Sequence, residues 1–233
     1  CWGILLGILV LALLVPEAPP VEHPRDGQSI TSILRQPRVM ALMAACFAMS
    51  AAHGAFYVFY SIHLTAHGYS KTEVGSLWSL GVVAEIVIFM LMARLTRRFS
   101  LRAILLACFA AAVLRFVLMG WGVESVLVMV FVQLMHGLTF GAYHASAIAA
   151  VNAWFPGKAQ ARGQALYSSL SFGAGGLLGA LIAGGTWDDW GAGWTFTLAS
   201  GFALVGYFLV WGWVRDDAVA AVSGEEKIVD PVP

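Results

Sequence analysis

Six long apolar stretches, at roughly 38–66, 72–94, 101–121, 125–155, 160–187 and 191–214, alternate with short polar breaks. Each is long enough for a helix that crosses a bilayer with some tilt, which takes about 20 apolar residues. A further run, 1–15, is shorter than this and lacks the basic start of a signal peptide. It reads as the end of a truncated membrane helix, which makes the chain the back part of a longer protein. Residues 16–37 are polar and proline-rich and read as an aqueous linker; residues 215–233 form a polar tail. All eight prolines lie outside the apolar stretches or at their ends, so no proline kink is expected within a span. Ser70-Lys71-Thr72-Glu73 has capping-box spacing and predicts a helix start, while Pro156-Gly157 separates the fourth stretch from the fifth.

Composition gives the same picture. Of 233 residues, 60% are apolar and 11% charged, and mean hydropathy is +0.80. A soluble domain carries about 25% charge. This excludes an ordinary soluble enzyme and a disordered segment, leaving an all-α, multi-pass membrane protein. Net charge is zero, which argues against nucleic acid as a partner. Cys1, Cys46 and Cys108 sit in apolar runs without CxxC spacing, so neither a disulfide framework nor a metal or cofactor site is expected.

The charges orient the chain. With the linker cytoplasmic, that side holds Arg25, Arg35, Arg38, Arg94, Arg97, Arg98, Arg102, Lys158, Arg162, Arg215 and Lys227, eleven basic residues in all, against Lys71 alone on the other side. The positive-inside rule then places both ends of the six-helix unit in the cytoplasm, in an inner-membrane setting.

Three ionisable residues fall well inside the bilayer on consecutive helices. At 1.5 Å per residue, Glu85 lies about 13 Å from the edge at Arg94, Arg115 about 9 Å from that at Trp121, and His136 about 18 Å from Glu124. Charge is costly in hydrocarbon, so such groups face a cavity or each other and mark a substrate or proton path; the alternative is a Glu85–Arg115 ion pair that only orders the bundle. The fourth helix adds Gln133, Phe140, Tyr143 and His144 at helical spacing. His53, Phe56, Tyr57 and Tyr60 share a face of the first, either as a wall for a ring-bearing ligand or as part of an interfacial belt. The fifth carries Gln164, Tyr167, Ser168 and Ser171, then a run of glycines (173, 175, 176, 179, 184, 185) that reads as packing surface.

Between the second and third stretches, Ala93-Arg94-Leu95-Thr96-Arg97-Arg98-Phe99-Ser100-Leu101-Arg102 resembles a degenerate copy of the major facilitator loop signature, with Arg94, Arg97, Arg98 and Arg102 as its basic residues and the acid missing. The whole chain up to about 215 resembles the C-terminal half of a major facilitator transporter. Phe56-Tyr57-Val58-Phe59-Tyr60-Ser61-Ile62, Gly68-Tyr69-Ser70, Ala84-Glu85-Ile86, Leu114-Arg115-Phe116, Met119-Gly120-Trp121 and His136-Gly137-Leu138-Thr139-Phe140-Gly141 resemble the 3-phenylpropionate permease branch, a relative of lactose-permease-type proton symporters. That resemblance implies a coupling cluster of an acid, an arginine and a histidine, matched here by Glu85, Arg115 and His136. The further acid one turn beyond the histidine is absent, since Thr139 and Phe140 stand there.

The resemblance implies proton-coupled symport of a small organic solute, such as an aromatic carboxylate, with the lipid bilayer and an N-terminal six-helix half as partners. His53, Tyr57, Tyr60, Arg115, Gln133, His144 and Tyr167 would contact substrate. A sugar, nucleoside or drug transporter of the same fold is the alternative; of another class, a non-transporting receptor or packing half. An intramembrane hydrolase finds no support, because Gly-x-Ser-x-Gly does not occur.

Overall fold

The computed structural model describes residues 29–157 and 159–215, together with Gly3, Leu6, Gly7, Val10, Leu13 and Leu14. Apart from those six helical positions, the truncated helix expected at 1–15, the linker up to residue 28 and the tail beyond 215 lie outside the described residues, as does Lys158. The described chain is helical throughout, running α1 (Ile30–Leu34), α2 (Pro37–Ala66), α3 (Lys71–Arg98), α4 (Leu101–Trp121), α5 (Val126–His136), α6 (Tyr143–Trp154), α7 (Ala159–Ser168) and α8 (Gly176–Trp213). Two wide π-helical turns join α5 to α6 (Gly137–Ala142) and α7 to α8 (Ser169–Gly175).

Local chemistry sets the boundaries. Pro37 opens α2, where a missing N–H costs nothing. Ser70 caps α3 with both halves of the expected box: the Glu73 amide donates to Ser70 Oγ, and the Ser70 amide donates to the Glu73 carboxylate at 2.8 Å. Ser100 and Ser125 cap α4 and α5 with the side-chain half alone, accepting from the Ala103 and Val128 amides.

Two sequence expectations need correction. The stretch assigned to an aqueous linker contains α1, whose Ile33 is buried against the bundle. The basic segment read as a loop is almost entirely helix: Arg94, Arg97 and Arg98 occupy the last turns of α3, Arg102 the first turn of α4, and only Phe99 and Ser100 lie between. No helix breaker precedes Phe99, and cations are favourable at a helix C-terminus, so α3 continues to its last arginine.

Five helical stretches are apolar and long enough to span a membrane, the last being Ala159–Trp213 with 55 residues. A straight helix of that length would measure about 82 Å, nearly three bilayer cores. Gly191, at φ 76° and ψ 168°, folds it into two spans. Thr186 Oγ1 and Thr195 Oγ1 consequently meet at 3.1 Å, whereas nine residues of straight helix would hold them about 13 Å apart. Counted as two, the arms of Ala159–Trp213 bring the apolar helical stretches among the described residues to six.

The bundle alternates up and down. At its basic end Arg102 donates to the Trp211 carbonyl at 2.8 Å, and Arg38 lies over the Trp154 ring. At the opposite end the Tyr69 hydroxyl donates to the Val123 carbonyl at 2.7 Å, and Trp121 donates to Thr197. The span formed by α2 is the most buried, with the fifth and sixth spans against it. Their contact is backbone to backbone. A Cβ on Gly175 would stand 2.6 Å from the Phe47 carbonyl oxygen, and one on Gly179 would overlap that of Ala51. Of the glycine run, these two carry the packing; Gly173, Gly176, Gly184 and Gly185 face open space.

Candidate functional site

The second and fourth spans approach through glycine. A Cβ on Gly137 would lie 2.5 Å from the Ala84 carbonyl oxygen, and one on Gly141 would lie 3.3 Å from Glu85 Cγ. This close approach sets His136, the residue before the π turn, beside Glu85, with Nε2 3.8 Å from Oε2. The Glu85 side chain is 20% exposed and that of His136 7%. The acid thus reaches an open surface while the imidazole is nearly sealed.

Arg115 lies on a different face of the cluster. It is fully buried, and the ion pair with Glu85 that stood as the alternative reading is not formed: among the described residues no carboxylate lies within ion-pair distance of it. Nε donates to the Val132 carbonyl at 3.0 Å, and Nη1 donates to Thr139 Oγ1 at 3.2 Å and His53 Nε2 at 3.3 Å. The guanidinium carbon lies 4.4 Å from the centre of the Phe56 ring and 5.5 Å from that of Phe116, where ring faces attract a cation. Among the described residues Nη2 has no hydrogen-bond partner. All partners of this buried cation are neutral.

The fourth span forms a ladder of rings. His136 stacks on Phe140 at 5.4 Å and 15°, and Phe140 on His144 at 5.8 Å and 17°. The i→i+5 bonding of the π turn advances fewer degrees per residue than an α-turn, so rings four apart stay in register. His144 Nδ1 is 2.9 Å from the Tyr167 hydroxyl, and Phe172, on the second π turn, packs edge-on against His144. A cavity of about 70 Å³ opens between the first, fourth and fifth spans, lined by Met49, Ser50, His53, Tyr57, Phe140, Tyr143, Phe172 and Gly176.

The structure places the remaining sequence candidates as follows. His53 and Tyr57 line the cavity. Tyr60, Gln133 and Tyr167 are fully buried. Tyr60 packs tilted against Phe56 and edge-on against Trp78 inside the bundle, which excludes the interfacial belt for it. Tyr143, on the expected polar face, turns toward the first span and donates to the Cys46 carbonyl at 3.4 Å. The arginines 94, 97, 98 and 102 stand apart at the basic end. Thr139 and Phe116, which hold Arg115, stood in the family-like runs without a role of their own, and Phe172 carried no sequence signal. Cys46 and Cys108 are buried and free, and among the described residues no group of three His, Cys, Asp or Glu side chains could hold a metal ion.

A bundle of apolar helices enclosing a sparse ionisable cluster defines an all-α, multi-pass membrane protein. Residues 4–198 match the MFS_1 like family, and the chain belongs to that family of major facilitator proteins. It is 33% identical over 200 residues to the "Probable 3-phenylpropionic acid transporter" of Escherichia coli (strain K12), an alignment that takes in 85% of this chain and 52% of that protein. The chain thus spans about half the length of this curated relative.

Proposed function

We propose that the chain forms part of a secondary transporter of the inner membrane that carries a small aromatic carboxylate together with protons. The observation that carries this reading is Arg115: a fully buried guanidinium that has, among the described residues, neutral partners only and one nitrogen without a hydrogen-bond partner. An isolated charge in a low-dielectric interior costs several kcal/mol, and a substrate carboxylate accepting from its planar fork would offset that cost. The rings of Tyr57, Phe140 and Phe172 stand at the wall of the neighbouring cavity, where an aryl group would find faces to pack against. The name of the E. coli relative agrees with an arylpropionate.

Glu85 and His136 supply the proton chemistry. At 3.8 Å they lie beyond hydrogen-bond reach but close enough for the charge of one to act on the other, and Glu85 is the more exposed of the two, so a proton would come and go there. The mechanism needs two six-helix halves rocking around the midplane site, with this chain contributing the C-terminal one and cytoplasmic ends. No bond-making chemistry is required.

The test compares 3-phenylpropionate with its neutral amide, titrated against the purified intact protein. The acid is expected to bind at least about tenfold more tightly, because hydrogen bonds to charged groups contribute about 1.5–3 kcal/mol. Equal affinity would overturn the carboxylate reading in favour of a neutral solute such as a sugar or nucleoside.

A further inference from the structure

We propose that His53 is a positioning residue that keeps Arg115 charged but without a protein counter-ion, so that the carboxylate of the substrate becomes the counter-ion. This rests on the anion-binding role of Arg115 given above and deepens it.

The proton positions follow from the partners. His53 Nδ1 lies 2.9 Å from the Met49 carbonyl oxygen, which can only accept, so Nδ1 carries the proton. His53 Nε2 lies 3.3 Å from Arg115 Nη1, which can only donate, so Nε2 is a bare acceptor. The imidazole is therefore neutral and locked in one tautomer. Its ring is held edge-on against Phe116 at 5.1 Å and 86°, which leaves it little freedom to turn.

Each alternative at this position would spoil the site. A carboxylate would form a permanent fork with Arg115 and compete with any arriving anion. A fixed cation would repel the guanidinium. An aliphatic side chain would leave Nη1 with Thr139 alone and the guanidinium free to swing. A neutral, rigid acceptor fixes the cation without discharging it. His53 also lines the cavity beside Tyr57 and Phe140, so it stands between Arg115 and the space from which a ligand would come. An arriving carboxylate would displace the long 3.3 Å contact at Nε2 and set an ionised acceptor opposite the ionised donor.

The experiment measures the ratio of acid to amide affinity in the intact protein for three variants. His53→Gln keeps a neutral acceptor and should hold the ratio within about threefold of wild type. His53→Leu removes the acceptor and should lower the ratio by about tenfold, the worth of roughly 1.4 kcal/mol. His53→Glu supplies a resident anion and should bring the ratio to about one while amide binding persists. Should His53→Glu fail to bind even the amide, the Gln and Leu pair decides. Equal ratios for Gln and Leu, or a wild-type ratio in the Glu variant, would overturn the role of His53. Wild-type protein that binds acid and amide alike would instead overturn the carboxylate reading, so the two failures are distinct.

Discussion

Glu85→Gln is expected to abolish uphill accumulation of substrate while exchange of labelled for unlabelled substrate across the membrane continues. The amide keeps the shape of the carboxyl beside His136, but it cannot take up or release a proton. The loaded carrier would still turn over between its two faces, and the return of the empty carrier, which needs the site deprotonated, would lose its link to the proton gradient. Accumulation should fall to equilibration, with exchange reduced no more than about tenfold, since only the Glu85–His136 contact is altered. His136→Gln should act more mildly, because Glu85 remains able to titrate. Wild-type accumulation by the Glu85→Gln protein would remove this carboxyl from the mechanism.

Arg115→Gln is expected to separate function from stability. Loss of a two-donor contact to a carboxylate should weaken acid binding by about 100-fold or more, at about 1.5–3 kcal/mol for each bond to a charged group. Arg115→Lys should recover little of this, because an ammonium cannot reproduce the planar fork. Folding should suffer far less. Truncating one member of a buried ion pair strands the other charge at a cost of about 3–5 kcal/mol, but among the described residues Arg115 has no such partner to strand. The glutamine amide can also still donate toward the Val132 carbonyl or Thr139. Thermal unfolding of the detergent-solubilised protein should therefore occur at or above the wild-type temperature. A Glu85→Gln, Arg115→Gln cycle should be additive within about 0.5 kcal/mol. A strong coupling energy, or a large drop in melting temperature for Arg115→Gln alone, would show that the arginine is a structural strut.

The six spans were legible because apolar runs bounded by polar breaks encode membrane helices directly, and the turn at Gly191 fell where two such runs met. Ser70 and Glu73 likewise announced their cap. The azimuth of the ionisable groups was not legible. Counting residues gives the depth of Glu85, Arg115 and His136, but not the side each faces, and the pairing depends on Gly137 and Gly141 drawing the fourth span onto Ala84 and Glu85. That contact gives Glu85 to His136 and leaves Arg115 with His53 and Thr139. The π turns left no periodicity signal, since one added residue hardly disturbs an apolar pattern. Arg94, Arg97 and Arg98 were misread as loop from their charge, although the first capping residue after them, Ser100, marks the true boundary.

The coupling of proton and carboxylate can be measured directly in de-energised vesicles carrying the intact protein, by adding 3-phenylpropionate and following external pH. Symport predicts a prompt alkalinisation that saturates with substrate, is collapsed by a protonophore, is absent with the amide and is absent from the Glu85→Gln protein. In the same vesicles, an imposed gradient of one pH unit is worth about 1.36 kcal/mol per proton and should drive accumulation toward about tenfold for one proton per substrate. Substrate entering those vesicles with no pH change, and levelling at equilibration whatever the gradient, would contradict proton-coupled transport by this protein.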